Sequence, residues 1–220
     1  MRVFLIAGEP SGDRLGAALM AGLKGLADNV TFEGVGGPLM AEQGLASLFP
    51  MDELSVMGVA EILPKYFDLR RRLLQTVEAV LAARPDVLVT IDSPDFCLRV
   101  AARVRARARV RTVHYVAPSV WAWRPGRAAK MAPHVDQVLA LLPFEPPYME
   151  AAGMRCDFVG HPVVSEPVAG AADVAAFRAS EGLGEAPVLL VLPGSRNSEV
   201  QRMLPVFGAA VARVLAARPD

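Results

Sequence analysis

The sequence predicts an α/β protein built on parallel sheets with helices packed on both faces. Two observations carry that expectation. Short apolar, strand-like runs at 3–7, 30–35, 87–91, 112–116, 137–142, 156–159 and 188–192 are separated by helical patterns such as 13–26 and 68–83, and a further one at 198–217 follows the last run. Several runs also end in Gly-, Pro- or Asp-containing strings that lead directly into a helix. Right-handed crossovers between parallel strands would gather their carboxyl ends on one edge, where ligands bind in open sheets of this kind.

The first run leads into Gly8-Glu-Pro-Ser-Gly-Asp13. Glycines there let a backbone approach a ligand, and the N–H groups of the helix that follows can receive an anion or the oxygens of a sugar. Glu9, Ser11, Gly12 and Asp13 are therefore candidate substrate-binding residues, with helix capping the competing role for Ser11 and Asp13. The string is not G-x-G-x-x-G, which disfavours a dinucleotide. After the run at 87–91 comes Thr90-Ile-Asp-Ser-Pro-Asp-Phe96. Ser93 is expected to cap a helix that has Pro94 at its first position and Asp95 in its first turn, where a negative charge suits the helix dipole. Asp92 has no such role. It closes a strand at the ligand-binding edge and is the candidate general base, with bracing of the turn as its alternative.

The run at 112–116 continues into His114-Tyr-Val-Ala-Pro-Ser-Val-Trp-Ala-Trp123. Trp121 and Trp123 are candidates for stacking on a sugar or lining an acyl groove, against ordinary core packing. His114 reads as a satisfied core histidine, and His161 as a residue that orders a linker. In the last part, Pro193-Gly-Ser-Arg-Asn-Ser-Glu199 precedes a helix. Gly194, Ser195 and Arg196 form a candidate diphosphate cradle, against a plain strand-to-helix turn.

Composition bounds these readings. Hydrophobic residues make up 53% and charged residues 21% of the 220, with no uninterrupted apolar stretch of spanning length. The apolar start is broken at Gly8, unlike a secretory signal, so a cytoplasmic location is expected. Cys97 and Cys156 fit no metal spacing and read as reduced, buried thiols. Net charge is zero, yet residues 98–134 hold nine Lys or Arg and no acid, which is either a solvated helix face or a basic patch for phosphates or lipid headgroups. The segment 56–74 repeats apolar residues at helical spacing, Leu63, Phe67, Leu69 and Leu73 among them, beside Lys65 and Arg70-Arg-Arg72. It reads as a helix docking on an anionic membrane surface, against a core helix started by Pro64.

The pattern lapses at 161–172, which predicts an N-terminal domain over 1–160, a linker over 161–172 and the opening of a second domain over 173–220. Leu81-Ala-Ala-Arg-Pro-Asp86 runs straight into the strand at 87–91, and the same six residues recur at 215–220. A further strand is expected to follow, in a longer protein of which this is the front part.

Taken in order, Gly8-Glu-Pro-Ser-Gly-Asp13, Gly34-Val-Gly-Gly-Pro38, Asp92-Ser-Pro-Asp-Phe96, the string from His114 to Trp123, Leu142-Pro-Phe-Glu145, Gly160-His-Pro162 and Pro193-Gly-Ser-Arg196 resemble the lipid-A-disaccharide synthase family across essentially the whole chain. The resemblance implies a GT-B type glycosyltransferase. Its two Rossmann-like domains would bind the acceptor first and the UDP-sugar second, without metal or cofactor. It implies UDP-2,3-diacylglucosamine and 2,3-diacylglucosamine 1-phosphate as substrates, Asp92 as the base on the acceptor 6-hydroxyl, and Arg196 as a contact to the donor diphosphate. It further implies peripheral attachment to the inner face of the inner membrane, no nucleic-acid partner, and a homodimer as a candidate assembly. Another GT-B transferase or epimerase, and a non-catalytic lipid-binding fragment, are the alternatives.

Overall fold

The computed structural model describes residues 1–55, 59–194 and 197–218, without the side chains of 59–63 and 197–198. It divides into two compact units, Met1–Ser165 and Glu166–Asp220.

In the first unit the order is β1 (Arg2–Ala7), α1 (Pro10–Leu26), β2 (Thr31–Val35), α2 (Pro38–Glu42), α3 (Val59–Ala83), β3 (Val87–Ile91), α4 (Pro94–Arg105), β4 (Arg111–Tyr115), α5 (Arg127–Met131), β5 (Gln137–Ala140), α6 (Pro146–Glu150) and β6 (Arg155–Phe158). The strands form one parallel sheet in the order β2-β1-β3-β4-β5-β6. From β1 the chain steps outward to β2, then crosses back to β3 on the other side. The order therefore reverses between β1 and β3, where Ala7 is the register partner of Ile91. In open parallel sheets that switch point opens a crevice beyond the carboxyl ends of the strands.

Five consecutive residues of β1, from Val3 to Ala7, are buried, as a central strand covered on both faces requires. Val3 and Leu5 pack with Leu15 and Met20 of α1. Phe4 and Ile6 pack on the opposite face with Leu73, Val77 and Val80 of α3 and Val100 of α4. Leu73, expected on a membrane-facing surface, thus belongs to the core. Pro64 lies inside α3 rather than at its start, because the helix already begins at Val59.

Asp13 does cap a helix, but not its own. It is buried at 2% exposure on α1, and its carboxylate accepts N–H bonds from Gly37 (2.9 Å), Leu39 (3.0 Å) and Met40 (3.0 Å) at the start of α2. A negative charge at a helix N-terminus is favoured by the free amides and the helix dipole together. The fit is close, since a Cβ on Gly37 would lie 2.6 Å from Asp13 Oδ2. Gly34 is needed for two reasons: its φ is +140°, and a Cβ there would meet the Leu5 carbonyl oxygen at 1.8 Å.

His114 is fully buried in β4. Its Nδ1 shares a hydrogen bond with Thr90 Oγ1 at 2.8 Å, while Nε2 has no partner among the described residues, so the expected satisfied core histidine is satisfied there at one nitrogen only. Burial, and secondarily the Arg127 guanidinium, lower its pKa to about 4. Cys97 and Cys156 are buried free thiols. Burial raises both, and the Asp92 carboxylate adds to the effect at Cys97.

The second unit holds α7 (Ala171–Ser180) and α8 (Asn197–Ala217). None of its described residues is buried. The run at 188–192, expected as a strand, is not one. A strand exists through its ladder to a neighbour, the described residues of this unit include no partner, and Leu190 and Leu192 are each 74% exposed. Over Glu199–Ala217 α8 is long and apolar enough to cross a membrane by length and composition alone, a test that the core helix of a soluble protein also passes.

Two outcomes are expected. Asp13→Ala orphans three amides and should lower the unfolding free energy by at least about 3 kcal/mol, read from the urea midpoint, since each unpaired buried group costs on the order of 1–3 kcal/mol. The folded pKa of His114 lies below the unfolded value of 6.5. The unfolded chain therefore takes up the proton first, and the stability this residue contributes is present above pH 6.5 and lost as pH falls toward 4. The urea midpoint should rise between about pH 5 and pH 7, and rise less in His114→Asn.

Candidate functional site

The loops that follow β1 and β3 meet at the switch point. Gly8 is buried, and a Cβ on it would stand 2.7 Å from Ser93 Oγ and 3.1 Å from Ser93 Cβ, so a side chain there would push the two loops against each other. Ser55 Oγ donates to the Gly8 carbonyl at 2.9 Å and fixes the loop from below. Gly12, also buried, sits against Ala7 and the Ile91 carbonyl. Pro10 occupies the first turn of α1 and the Asp13 N–H returns to the Glu9 carbonyl, leaving the Ser11 and Gly12 amides at the helix start. Glu9 is half-buried there, and Ser11 is exposed.

Across the crevice the backbone is strained. Asp92 (φ 49°) and Ser93 (φ 40°) are consecutive left-handed non-glycine residues. Each costs on the order of 1–2 kcal/mol. What holds them is the ladder, because the Asp92 N–H donates to the Tyr115 carbonyl at 2.9 Å and so ties the turn to β4. Ser93 does not cap α4 with its side chain as expected. In its left-handed conformation the hydroxyl faces Gly8, and only its carbonyl serves the helix, accepting from Phe96 and Cys97. The turn places the half-buried Asp92 directly after β3, at the sheet's carboxyl edge. Asp95, one turn on, is exposed and pairs with Arg127 at 3.0 Å.

Beyond β4, Val116 has φ 81°, an outlier for a β-branched residue. Trp121 and Trp123 follow, exposed at 46% and 60%, so core packing is not their role. Trp121 meets Phe144 edge-on at 5.3 Å, and the Arg124 guanidinium lies 4.1 Å over the Trp123 ring. With Val120, Ala122, Pro125 and Tyr148 the two tryptophans line a groove of about 370 Å³. The loop after β5 is anchored by the buried Glu145, which accepts the Leu142 N–H at 3.0 Å. His161 accepts the Val163 N–H at 3.1 Å and orders the chain leaving the sheet.

The structure therefore brings Glu9, Ser11, Gly12, Asp92 and the two tryptophans to one edge of one sheet, and withdraws Asp13 to a supporting position. Gly194 belongs to the second unit. Its φ is +121°, and a Cβ would meet Glu199 at 2.7 Å, so a glycine is required there. Ser195 and Arg196 lie outside the described residues. Sequence reasoning missed Phe144 and Tyr148 as neighbours of the tryptophans. Arg124 and Arg127 lie in the acid-free run that the sequence offered as a solvated helix face or a basic patch, and the structure puts Arg124 against Trp123 and Arg127 against Asp95.

Comparison with known proteins bears on all of this. The chain matches the family model for lipid-A-disaccharide synthetase over residues 3–220. It is 69% identical over 220 residues to the lipid-A-disaccharide synthase of Ruegeria pomeroyi, covering 100% of this chain and 55% of that protein. It is 58% identical over 221 residues to that of Rhodospirillum centenum, covering 99% and 55%. The chain thus spans about half the length of the curated relatives it matches. Among solved structures it resembles the UDP-GlcNAc 2-epimerase of Neisseria meningitidis, with a TM-score of 0.53 at 9% identity over 84% of this chain and 50% of that one. A second likeness is to an epimerase assigned to the same activity in Listeria monocytogenes, with a TM-score of 0.51 at 14% identity over 69% and 41%. Those likenesses support the fold alone. Sequence identity carried across the full length of this chain goes further, and by it the chain belongs to the lipid-A-disaccharide synthetase family.

Proposed function

We propose that the protein of which this chain forms part is a hexosyltransferase. It joins UDP-2,3-diacylglucosamine to 2,3-diacylglucosamine 1-phosphate, releasing UDP and the β-1,6-linked disaccharide 1-phosphate. The observation that carries the reading is Asp92, a half-buried carboxylate held in a left-handed turn just past the carboxyl end of β3, beside the point where the strand order reverses. In the reaction Asp92 takes the proton of the acceptor 6-hydroxyl as its oxygen attacks the anomeric carbon. The bond from that carbon to the diphosphate breaks on the opposite face, UDP leaves with the electron pair, and the configuration inverts. Glu9 and the Ser11 and Gly12 amides line the crevice and suit the hydroxyls of a sugar. The groove of Trp121 and Trp123 suits acyl chains or the sugar face. On sequence grounds the donor diphosphate falls to the string Gly194-Ser-Arg196 ahead of α8.

Work on acylated sugars calls for a membrane surface. On α3, Phe67 is 77%, Tyr66 49% and Leu74 43% exposed, beside Lys65 and Arg70. Burying two such aromatic side chains in an interface contributes on the order of 3–6 kcal/mol before ordering costs. We read this face of α3 as docking on the inner leaflet. The upstream residues 56–63 that were expected to join it lie outside the described side chains.

Two measurements follow. Asp92→Asn in the full-length protein should lower kcat by at least about 10²-fold with KM little changed, whereas Asp95→Asn should cost far less; equal losses would remove Asp92 from its role. The double variant Tyr66→Ser, Phe67→Ser should fail to float with vesicles containing anionic phospholipid while its circular dichroism stays native. Undiminished flotation would move the docking surface elsewhere.

A further inference from the structure

Between Asp95 and Asp136 the chain has nine Lys or Arg and no acid. Most are spread along α4 and the turn that follows it, where Arg105 pairs with Asp136 and Arg107 with Glu78. Arg124, Arg127 and Lys130 instead follow β4, at the sheet's carboxyl edge. Among the described residues Arg124 and Lys130 have no carboxylate partner. Arg127 has one, in an uneven pair: its own side chain is 15% exposed, while that of Asp95 is 75% exposed. The Arg127 side chain is thus largely enclosed, while its counter-ion stands in solvent. Exposed carboxylates contribute little to such pairs. A phosphate presents more charge and two oxygens to the same fork.

Arg124 is positioned as well. It has φ 53°, and its guanidinium carbon lies 4.1 Å over the Trp123 ring, which holds the charge beside the apolar groove. Apolar groove and cations share one loop, and an amphiphile with an anionic end matches both halves.

We propose that Arg124 and Arg127 bind the phosphomonoester of an acylated sugar phosphate, with Arg127 exchanging Asp95 for the phosphate when the ligand enters. This deepens the reading of the acceptor given above and depends on it for the ligand's identity. Trp123 and Tyr148 then flank the acylated part. Asp95 serves as a placeholder that keeps Arg127 aimed while the site is empty.

The test is calorimetric titration of the full-length protein with short-chain 2,3-diacylglucosamine 1-phosphate and with its dephosphorylated analogue. The wild type should prefer the phosphorylated ligand. Arg127→Gln and Arg124→Gln should each weaken that ligand by at least about tenfold, as expected for one charge-assisted contact, and leave the analogue unchanged. Arg127→Lys should recover part of the loss and keeps the question open to test if Arg127→Gln does not fold. Asp95→Asn distinguishes ligand binding from a structural pair: it should bind the phosphorylated ligand at least as tightly as the wild type. Parallel weakening by Arg127→Gln and Asp95→Asn toward both ligands would overturn the proposal. So would competition by phosphatidylglycerol vesicles as effective as that of the phosphorylated sugar, which would make the arginines a bilayer contact. Transfer activity is a separate readout. Loss of phosphate preference in a protein that transfers nothing upholds this inference and removes the transferase reading, while transfer with an unchanged acceptor KM in the arginine variants does the reverse.

Discussion

The Asp13 carboxylate, buried on α1, accepts three amides from the start of α2 and so joins the two helices that flank β2. The crevice depends on this bond set. With α2 fixed against α1, the Gly36-Gly37 turn closes over Met40, and the loop from Gly8 to Asp13 has a fixed end as well as a fixed beginning. The beginning is held by Ser55 on the Gly8 carbonyl. A loop pinned at both ends can present Glu9 and two free helix amides in one arrangement, which a sugar-binding surface needs.

The opposite wall works by strain. Asp92, Ser93 and Val116 all have positive φ at the carboxyl ends of neighbouring strands. Their amides or carbonyls are nevertheless bonded, Asp92 to Tyr115 and Val116 to Leu139, so the conformations are imposed by the ladder. Packing through β3 and β4 thereby reaches the candidate base directly. It also explains why Cys97 lies under the turn as an inert thiol: in burial, with a carboxylate nearby, its ionised form is strongly disfavoured.

The sheet was legible in the sequence because its strands are short runs rich in apolar and β-branched residues, set apart by helical patterns. Each of the six ends within two residues of its expected end, and β4 stops at Tyr115 because Val116 leaves β geometry. Two kinds of feature were not legible. Long-range partners such as Asp13 with α2, or Asp95 with Arg127, join residues 24 to 32 apart that no local pattern couples. The second kind is structure supplied by neighbours, as at 188–192, where an apolar run without a partner strand remains unpaired. In α3 the helical period was correct, but the period alone does not say which face the core takes, and Leu73 went inward while Phe67 stayed out.

The central claim is that this edge of the sheet supports transfer of an acylated hexose between a nucleotide and a sugar phosphate. Mass spectrometry of the products formed by the full-length protein from UDP-2,3-diacylglucosamine and 2,3-diacylglucosamine 1-phosphate tests it most directly. The account predicts a tetraacyl disaccharide 1-phosphate and UDP in equal amounts. Recovery of both substrates unjoined, or a UDP-sugar altered only in configuration, would contradict it.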